Sequence, residues 1–199
     1  MKKPALILFD FDGTLTTKDS MMEFVRFVRG SQRLQLGFLW LAPVLVAYKL
    51  GIISNQKAKE RFLRFHLGGI SRDELRQKGV EFGQSIIPQL LRPAGLSQLK
   101  RYQDEGAKVV LVSASLDIWL EAWASSLGIH LICTQASYEE GVFSGQLASP
   151  NCYGPEKLTR IKSEIKLENF GRTIAYGDSG GDKELLAWAD EAHFKPFRD

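Results

Sequence analysis

The sequence predicts an α/β fold: a Rossmann-like parallel sheet flanked by helices, with a helical cap inserted into it. Three observations carry this. Short apolar runs near residues 5–10, 108–113, 130–134 and 173–177 have the length and composition of buried strands. Helical stretches near 92–105, 116–127 and 155–167 alternate with them, the pattern of a parallel sheet covered on both faces. About 75 residues, from Thr17 to Leu91, separate the first strand from the first of these helices, where an ordinary connection takes a handful, so they must form a unit of their own.

With 199 residues and 44% hydrophobic content the chain can bury a full core, and its length suits one main domain with an insertion. The expected division is a core of residues 1–16 and 92–199 and a cap of residues 17–91. No internal repeat or low-complexity stretch interrupts either part.

The first strand, Leu6-Ile7-Leu8-Phe9, runs into Asp10-Phe11-Asp12-Gly13-Thr14. Buried parallel strands present functional groups at their C-terminal ends, and residues i and i+2 of an extended chain share a side. Asp10 and Asp12 can therefore face one pocket while Phe11 turns into the core and Gly13 allows a sharp turn. Two carboxylates so close repel unless a cation neutralises them, which points to a bound metal, with magnesium the best match. In the cap, Phe24, Phe27 and Val28 recur at helical spacing, as do Phe62, Leu63 and Phe65-His66. Between them Gly37 to Tyr48 carries no charge, yet it is only twelve residues long and holds Pro43, where a membrane-spanning helix needs about twenty. Three readings of this run stay open: the core of a small helical bundle, an amphiphile-binding or interfacial surface flanked by Arg29, Arg33 and Lys49, or a dimer contact.

The strand Lys108-Val109-Val110-Leu111-Val112 ends in Ser113-Ala114-Ser115, where a hydroxyl at a strand tip can hold a phosphate oxygen. Trp119 and Trp123, one helical turn apart, read as core. Residues 136–148, with Gly141 and Gly145, have hairpin chemistry and form a smaller insertion expected at the pocket rim. Lys157 follows the Gly154-Pro155-Glu156 break at the expected start of a helix, where helix polarity and an ammonium together favour an anion; taken alone it reads better as a solvated surface lysine. Thr173-Ile174-Ala175-Tyr176 leads into Gly177-Asp178-Ser179-Gly180-Gly181-Asp182, whose carboxylates, with Asp10, offer the oxygen ligands a hard cation takes. A short last strand is expected near Ala192-His193-Phe194.

In this order the motifs resemble those of the haloacid dehalogenase superfamily of hydrolases, subfamily IB, the phosphoserine-phosphatase-like branch. Asp10 to Thr14 is similar to its motif one, Ser113 to motif two, Lys157 to motif three and Gly177 to Asp182 to motif four, so the resemblance spans essentially the whole chain. It implies that Asp10 attacks phosphorus and becomes an aspartyl-phosphate, while Asp12 protonates the leaving oxygen and then activates water. Magnesium would be held by Asp10, Asp178 and the carbonyl of Asp12, with Asp182 steadying its water shell. Ser113, Ala114, Lys157 and the loop carrying Thr14 would bind the phosphoryl oxygens, though the Thr14 hydroxyl equally well pins the turn. In the resembled enzymes an acid and an arginine of the cap contact the substrate, and Asp19 and Arg61 are the nearest matches.

Two departures bear on substrate. Ala114-Ser115 stands where the resembled enzymes usually carry glycines, and the uncharged run from Gly37 is longer than a polar amino-acid substrate requires. The expected activity is magnesium-dependent hydrolysis of a phosphate monoester, either a small metabolite such as phosphoserine or a phospholipid-like phosphate. A phosphotransferase or phosphomutase using the same intermediate is the alternative. A non-catalytic phosphate-responsive protein is disfavoured by the intact Asp10, Asp12, Lys157, Asp178 and Asp182.

The formal charge of +3 is unevenly placed, with twelve Lys/Arg against six Asp/Glu between Lys18 and Glu81. A basic cap attracts an anionic substrate or a membrane surface, whereas nucleic acid is not expected without a binding motif. Asp10 and Asp12 interrupt the N-terminal apolar stretch too early for a secretory signal, and Cys133 and Cys152 lack metal-ligand spacing and fit reduced thiols, so a cytoplasmic location is expected. His66, His130 and His193 fall in no motif, and the oligomeric state is not legible.

Overall fold

In β1 (Ala5–Phe9), Leu6 and Leu8 pack on one side of the sheet and Ile7 and Phe9 on the other, and all four are buried, so both faces have to be covered. The computed structural model describes residues 3–198 and covers both faces with helices; the basic start Met1-Lys2 lies outside the described residues. After β1 come α1 (Ser20–Arg29), α2 (Ser31–Trp40), α3 (Ala42–Lys49), α4 (Asn55–Leu67), α5 (Arg72–Ser85) and α6 (Ile87–Leu90). Then follow α7 (Pro93–Asp104), β2 (Lys108–Leu116), α8 (Asp117–Ser126), β3 (His130–Thr134), β4 (Ala136–Glu139) and β5 (Val142–Leu147). The chain ends with α9 (Pro155–Glu164), β6 (Arg172–Gly177), α10 (Lys183–Trp188) and β7 (Glu191–Phe194).

The main sheet is parallel with strand order β3-β2-β1-β6-β7, as the alternating pattern predicts. Leu8 is paired with Val110 on one side and Ala175 on the other, so the tips of β2, β1 and β6 lie side by side. Leu99 of α7 and Trp119, Leu120 and Trp123 of α8 cover the Ile7–Phe9 face, while Ile161 of α9 and Leu185 of α10 cover the Leu6–Leu8 face. β2 runs past the expected end at Ser113 to Leu116, and its pairing with β3 shifts register between these two residues. Such an irregularity re-aims side chains at a strand tip.

Three of the helices between β1 and α7, namely α1, α4 and α5, begin on side-chain caps: Asp19, Ser54 and Ser71 accept from the backbone N–H of Met22, Lys57 and Glu74. The segment closes on itself where Thr17 N–H donates to the Leu90 carbonyl at 2.8 Å. It lies on the core through α5 and α8, an approach that requires glycine, since a Cβ on Gly79 would fall 1.8 Å from the Ile118 carbonyl oxygen. His66 is buried between Phe62 and Phe65, with ring centroids 4.5 and 5.0 Å away, and its ring nitrogens have no partner among the described residues.

One expectation is corrected, and one open reading is narrowed. The β4–β5 hairpin is not at the pocket rim; it braces the α4–α5 loop, with Phe143 N–H on the Ile70 carbonyl and Gly69 N–H on the Phe143 carbonyl, both 2.9 Å. The uncharged run is not chiefly core either. Leu39 and Trp40 are 72% and 73% exposed, and α2 and α3 lie outermost with Leu34, Gly37 and Leu41 as their buried anchors.

Candidate active site

Asp10 leaves β1 with its N–H on the Tyr176 carbonyl, which holds it at the sheet edge. Phe11 turns inward onto Trp123, ring centroids 5.1 Å apart. Gly13 then takes φ +80°, and a Cβ there would stand 2.3 Å from Asp178 Oδ2, so this turn is closed to every other residue. Asp10 Oδ1 accepts from Lys157 Nζ at 2.5 Å and its Oδ2 accepts from the Thr14 hydroxyl at 2.9 Å. Thr14 therefore pins the Asp10 carboxylate.

Lys157 is buried at the start of α9 and bridges to Asp182 Oδ1 at 2.6 Å, so the lysine that was ambiguous alone is part of the site. Burial alone would strip its proton, but the carboxylates of Asp10 and Asp182 outweigh that and hold the ammonium above its ordinary range. Burial opposes the charge on Asp182 too, yet Lys157 and two backbone donors keep its carboxyl below the usual range. Its Oδ2 accepts from the N–H of Asp178 and Ser179 and from the Ser179 hydroxyl, at 3.0–3.1 Å, which folds the glycine-rich turn around it. Asp178 pairs through Oδ2 with Arg198 at 2.7 Å. Burial pushes Asp10 up to about 6 against the pull of Lys157.

Asp12 is held from two directions. Ser20 N–H, at the start of α1, donates to Oδ1 at 2.6 Å, and the Ser115 hydroxyl at the tip of β2 donates to Oδ2 at 2.5 Å. Behind Ser115 stands Ser20 Oγ at 3.0 Å, itself accepting from Trp119 Nε1–H at 2.9 Å. Indole can only donate and an ionised carboxylate can only accept, so with Asp12 ionised the chain runs from Trp119 to Ser20 to Ser115 to Asp12. Burial, followed by the charge of Asp19, raises Asp12 to about 7 despite these donors.

A cavity of about 330 Å³ opens over these groups. Asp10, Asp12, Ser113, Ala114, Lys157 and Asp178 line its floor. Ser113 Oγ is turned by accepting from Ser115 N–H at 3.0 Å, and the Ala114 carbonyl accepts from Thr134 Oγ1 at 2.8 Å. Asp19 lines the cavity but spends one oxygen on the cap of α1. Arg61 does not line it; the side chain is exposed on the outside of α4. The cap cation in the cavity is Lys59, two residues earlier and so on the opposite face of the helix, with Nζ donating to the Ala114 carbonyl and, at 3.0 Å, to Asn151 Oδ1. Burial lowers Lys59 to about 8, with Asp12 and Asp19 opposing. Its phase was readable, since Lys59, Phe62, Leu63 and His66 fall on one helical stripe.

Among the described residues, ligand atoms of Asp10, Asp178 and Asp182 lie within 4.8 Å of one another. An all-oxygen, carboxylate-rich donor set of this kind suits a hard divalent cation.

The parallel sheet thus carries a carboxylate pair at its central strand tip, with a buried lysine and a serine on neighbouring elements. The family model for haloacid dehalogenase-like hydrolase matches residues 7–187, and the chain belongs to that family. It is 35% identical to protein CicA of Caulobacter vibrioides over 198 residues, 98% of this chain and 88% of the relative. The fold matches that of a protein of unknown function from Bordetella pertussis Tohama I, with TM-score 0.81 and 23% identity, covering 96% of this chain and 89% of the other. It also matches a phospho-aspartyl intermediate analogue of phosphoserine phosphatase, with TM-score 0.69 and 18% identity over 96% and 86% of the two chains.

Proposed function

We propose that the protein hydrolyses a phosphate monoester through an aspartyl-phosphate on Asp10, and that the esterified group carries an apolar portion. The observation that carries the reaction is the pairing of Asp10, fixed by Lys157 and Thr14, with an Asp12 held independently by Ser20 and Ser115. In the first step an Asp10 carboxylate oxygen bonds to phosphorus as the ester P–O bond breaks, and Asp12 gives its proton to the departing oxygen. In the second, Asp12 takes a proton from water as that water attacks phosphorus, the bond to Asp10 breaks, and inorganic phosphate leaves. Ser113 and Lys157 hold phosphoryl oxygens on the cavity floor. Magnesium, held by Asp10, Asp178 and the carbonyl of Asp12 with Asp182 supporting, would neutralise the crowded anionic charge.

The substrate reading rests on the walls. Met21, Met22, Phe38, Leu45 and Phe62 line the side of the cavity contributed by the cap, beside the polar Lys59, Asn55 and Asn151. Each buried methylene is worth about 0.8 kcal/mol, so four in contact give roughly 3 kcal/mol, more than one polar contact supplies. Alkyl phosphates of increasing length, assayed below micelle formation beside phosphoserine and an aryl phosphate, test both parts. kcat/KM is expected to rise with chain length, and turnover to require magnesium. Turnover surviving excess chelator refutes the metal assignment, and phosphoserine outrunning a flat alkyl series refutes the apolar substrate.

A further inference from the structure

We propose that the outer face of α2 and α3 docks the protein on an anionic lipid bilayer. Six large apolar residues of α2, α3 and the turn after α3, Leu36, Leu39, Trp40, Val46, Leu50 and Ile52, are each between 55% and 73% exposed. A soluble surface seldom gathers so much apolar area in one place without a partner. The charge pattern identifies the partner's chemistry. From Phe24 through Lys59 the chain has no aspartate or glutamate but six Lys/Arg. Of these, Arg33, Lys49 and Lys57 are exposed and form no ion pair among the described residues. An acid-free, basic rim around an apolar face, with a tryptophan at its bend, is complementary to a negative headgroup layer over hydrocarbon. The helices are ten and eight residues long, and none of the described helices is long and apolar enough to cross a membrane, so the element lies in the interface.

The face is also continuous with the cavity. Phe38, Leu45 and Tyr48 of the same two helices line the cavity from inside. Docking would thus place the mouth beside the bilayer; that functional consequence, unlike the docking itself, rests on the reaction proposed above.

Cosedimentation of the full chain with phosphatidylcholine vesicles, with and without phosphatidylglycerol, tests this. Binding is expected to the anionic vesicles and to weaken as salt is raised. Leu39→Ser with Trp40→Ser, and separately Arg33→Glu with Lys49→Glu, are each expected to lower the partition about tenfold or more. These side chains are exposed and outside the cavity, so both variants should keep wild-type melting and hydrolyse a soluble aryl phosphate at the wild-type rate. That assay separates the outcomes: loss of vesicle binding with intact turnover supports docking, while absent turnover in every form would count against the catalytic reading alone. Docking is overturned by failure to bind either vesicle, by binding that both variants leave untouched, or by a dimer that Leu39→Ser with Trp40→Ser splits while no form binds vesicles.

Discussion

Removing the Ser115 hydroxyl deprives Asp12 of one of its two donors without touching Asp10, Lys157, Asp178 or Asp182. The lost bond is a 2.5 Å hydroxyl-to-carboxylate contact, and hydrogen bonds to charged groups are worth about 1.5–3 kcal/mol. At about 1.4 kcal/mol per factor of ten, Ser115→Ala should slow the steps that need Asp12 by roughly 10–150-fold. That is part of the 10²–10⁴-fold, roughly, that general acid–base catalysis contributes, as expected when the Ser20 N–H still holds the other oxygen. With an activated aryl phosphate the leaving oxygen needs little protonation, so phosphorylation of Asp10 should be nearly unchanged while its hydrolysis is slow. kcat and KM should then fall together, and quenched samples should show phospho-enzyme by mass spectrometry. An alkyl phosphate should lose kcat/KM as well. Ser115→Thr, which keeps the hydroxyl, should recover most of the rate. Wild-type kcat in a folded Ser115→Ala protein would refute the role assigned to the relay, as would slowed turnover with no accumulated phospho-enzyme.

Three further outcomes follow from the site. Asp10→Asn should abolish turnover and covalent phosphate incorporation together, and a stable phosphoryl group on that variant would name a different nucleophile. Lys59 has one N–H left after its bonds to Ala114 and Asn151, so Lys59→Met should raise KM about 10–150-fold for a substrate with a second anionic group; equal effects on a simple aryl phosphate would contradict this. In chelator, the Asp12 carboxyl, raised from 3.8 to about 7, binds its proton more tightly in the folded state, so its contribution to stability is present below the lower value and is lost as pH rises through the upper one. The melting temperature should fall across that window, and fall less steeply in Asp12→Asn; parallel profiles would refute the shift.

The strand tips were legible because a buried parallel strand is an apolar run that stops abruptly, and here each stop carries a polar residue: Asp10, Ser113 and Asp178. What was not legible depends on what lies across space. Ser115 reads in the sequence only as a departure from glycine, because its partners Ser20 and Asp12 are 95 and 103 residues away. Arg61 is what a resemblance to a substrate-binding arginine offers, whereas the helical stripe through Phe62 and His66 puts Lys59 inside. The uncharged run could not be assigned from composition, since a buried helix and an uncovered one share the same residues. Gly37, where a Cβ would strike the His66 ring at 2.1 Å, marks with the buried Leu34 the line along which α2 touches α4 and its neighbours.

The two donors on Asp12 tie the chemistry to the cap. One is Ser115, on the sheet, and the other is the backbone N–H of Ser20, in the first turn of the first cap helix, whose hydroxyl is held by Trp119 of the core. If α1 swings away, Oδ1 loses its donor and the Trp119-to-Ser115 relay is broken in the middle, so the Asp12 carboxylate is fully oriented only while α1 is seated. Met21 and Met22, the next residues of that helix, line the cavity. A substrate that fills the cavity and presses on this turn therefore bears on the same segment that orients Asp12, and the energy of binding a remote apolar group can be expressed in kcat as well as KM. Chain length in the alkyl phosphate series should then raise kcat in the wild type. In Ser115→Ala that dependence should weaken, because the relay through which α1 reaches Oδ2 is gone while the Ser20 N–H on Oδ1 remains.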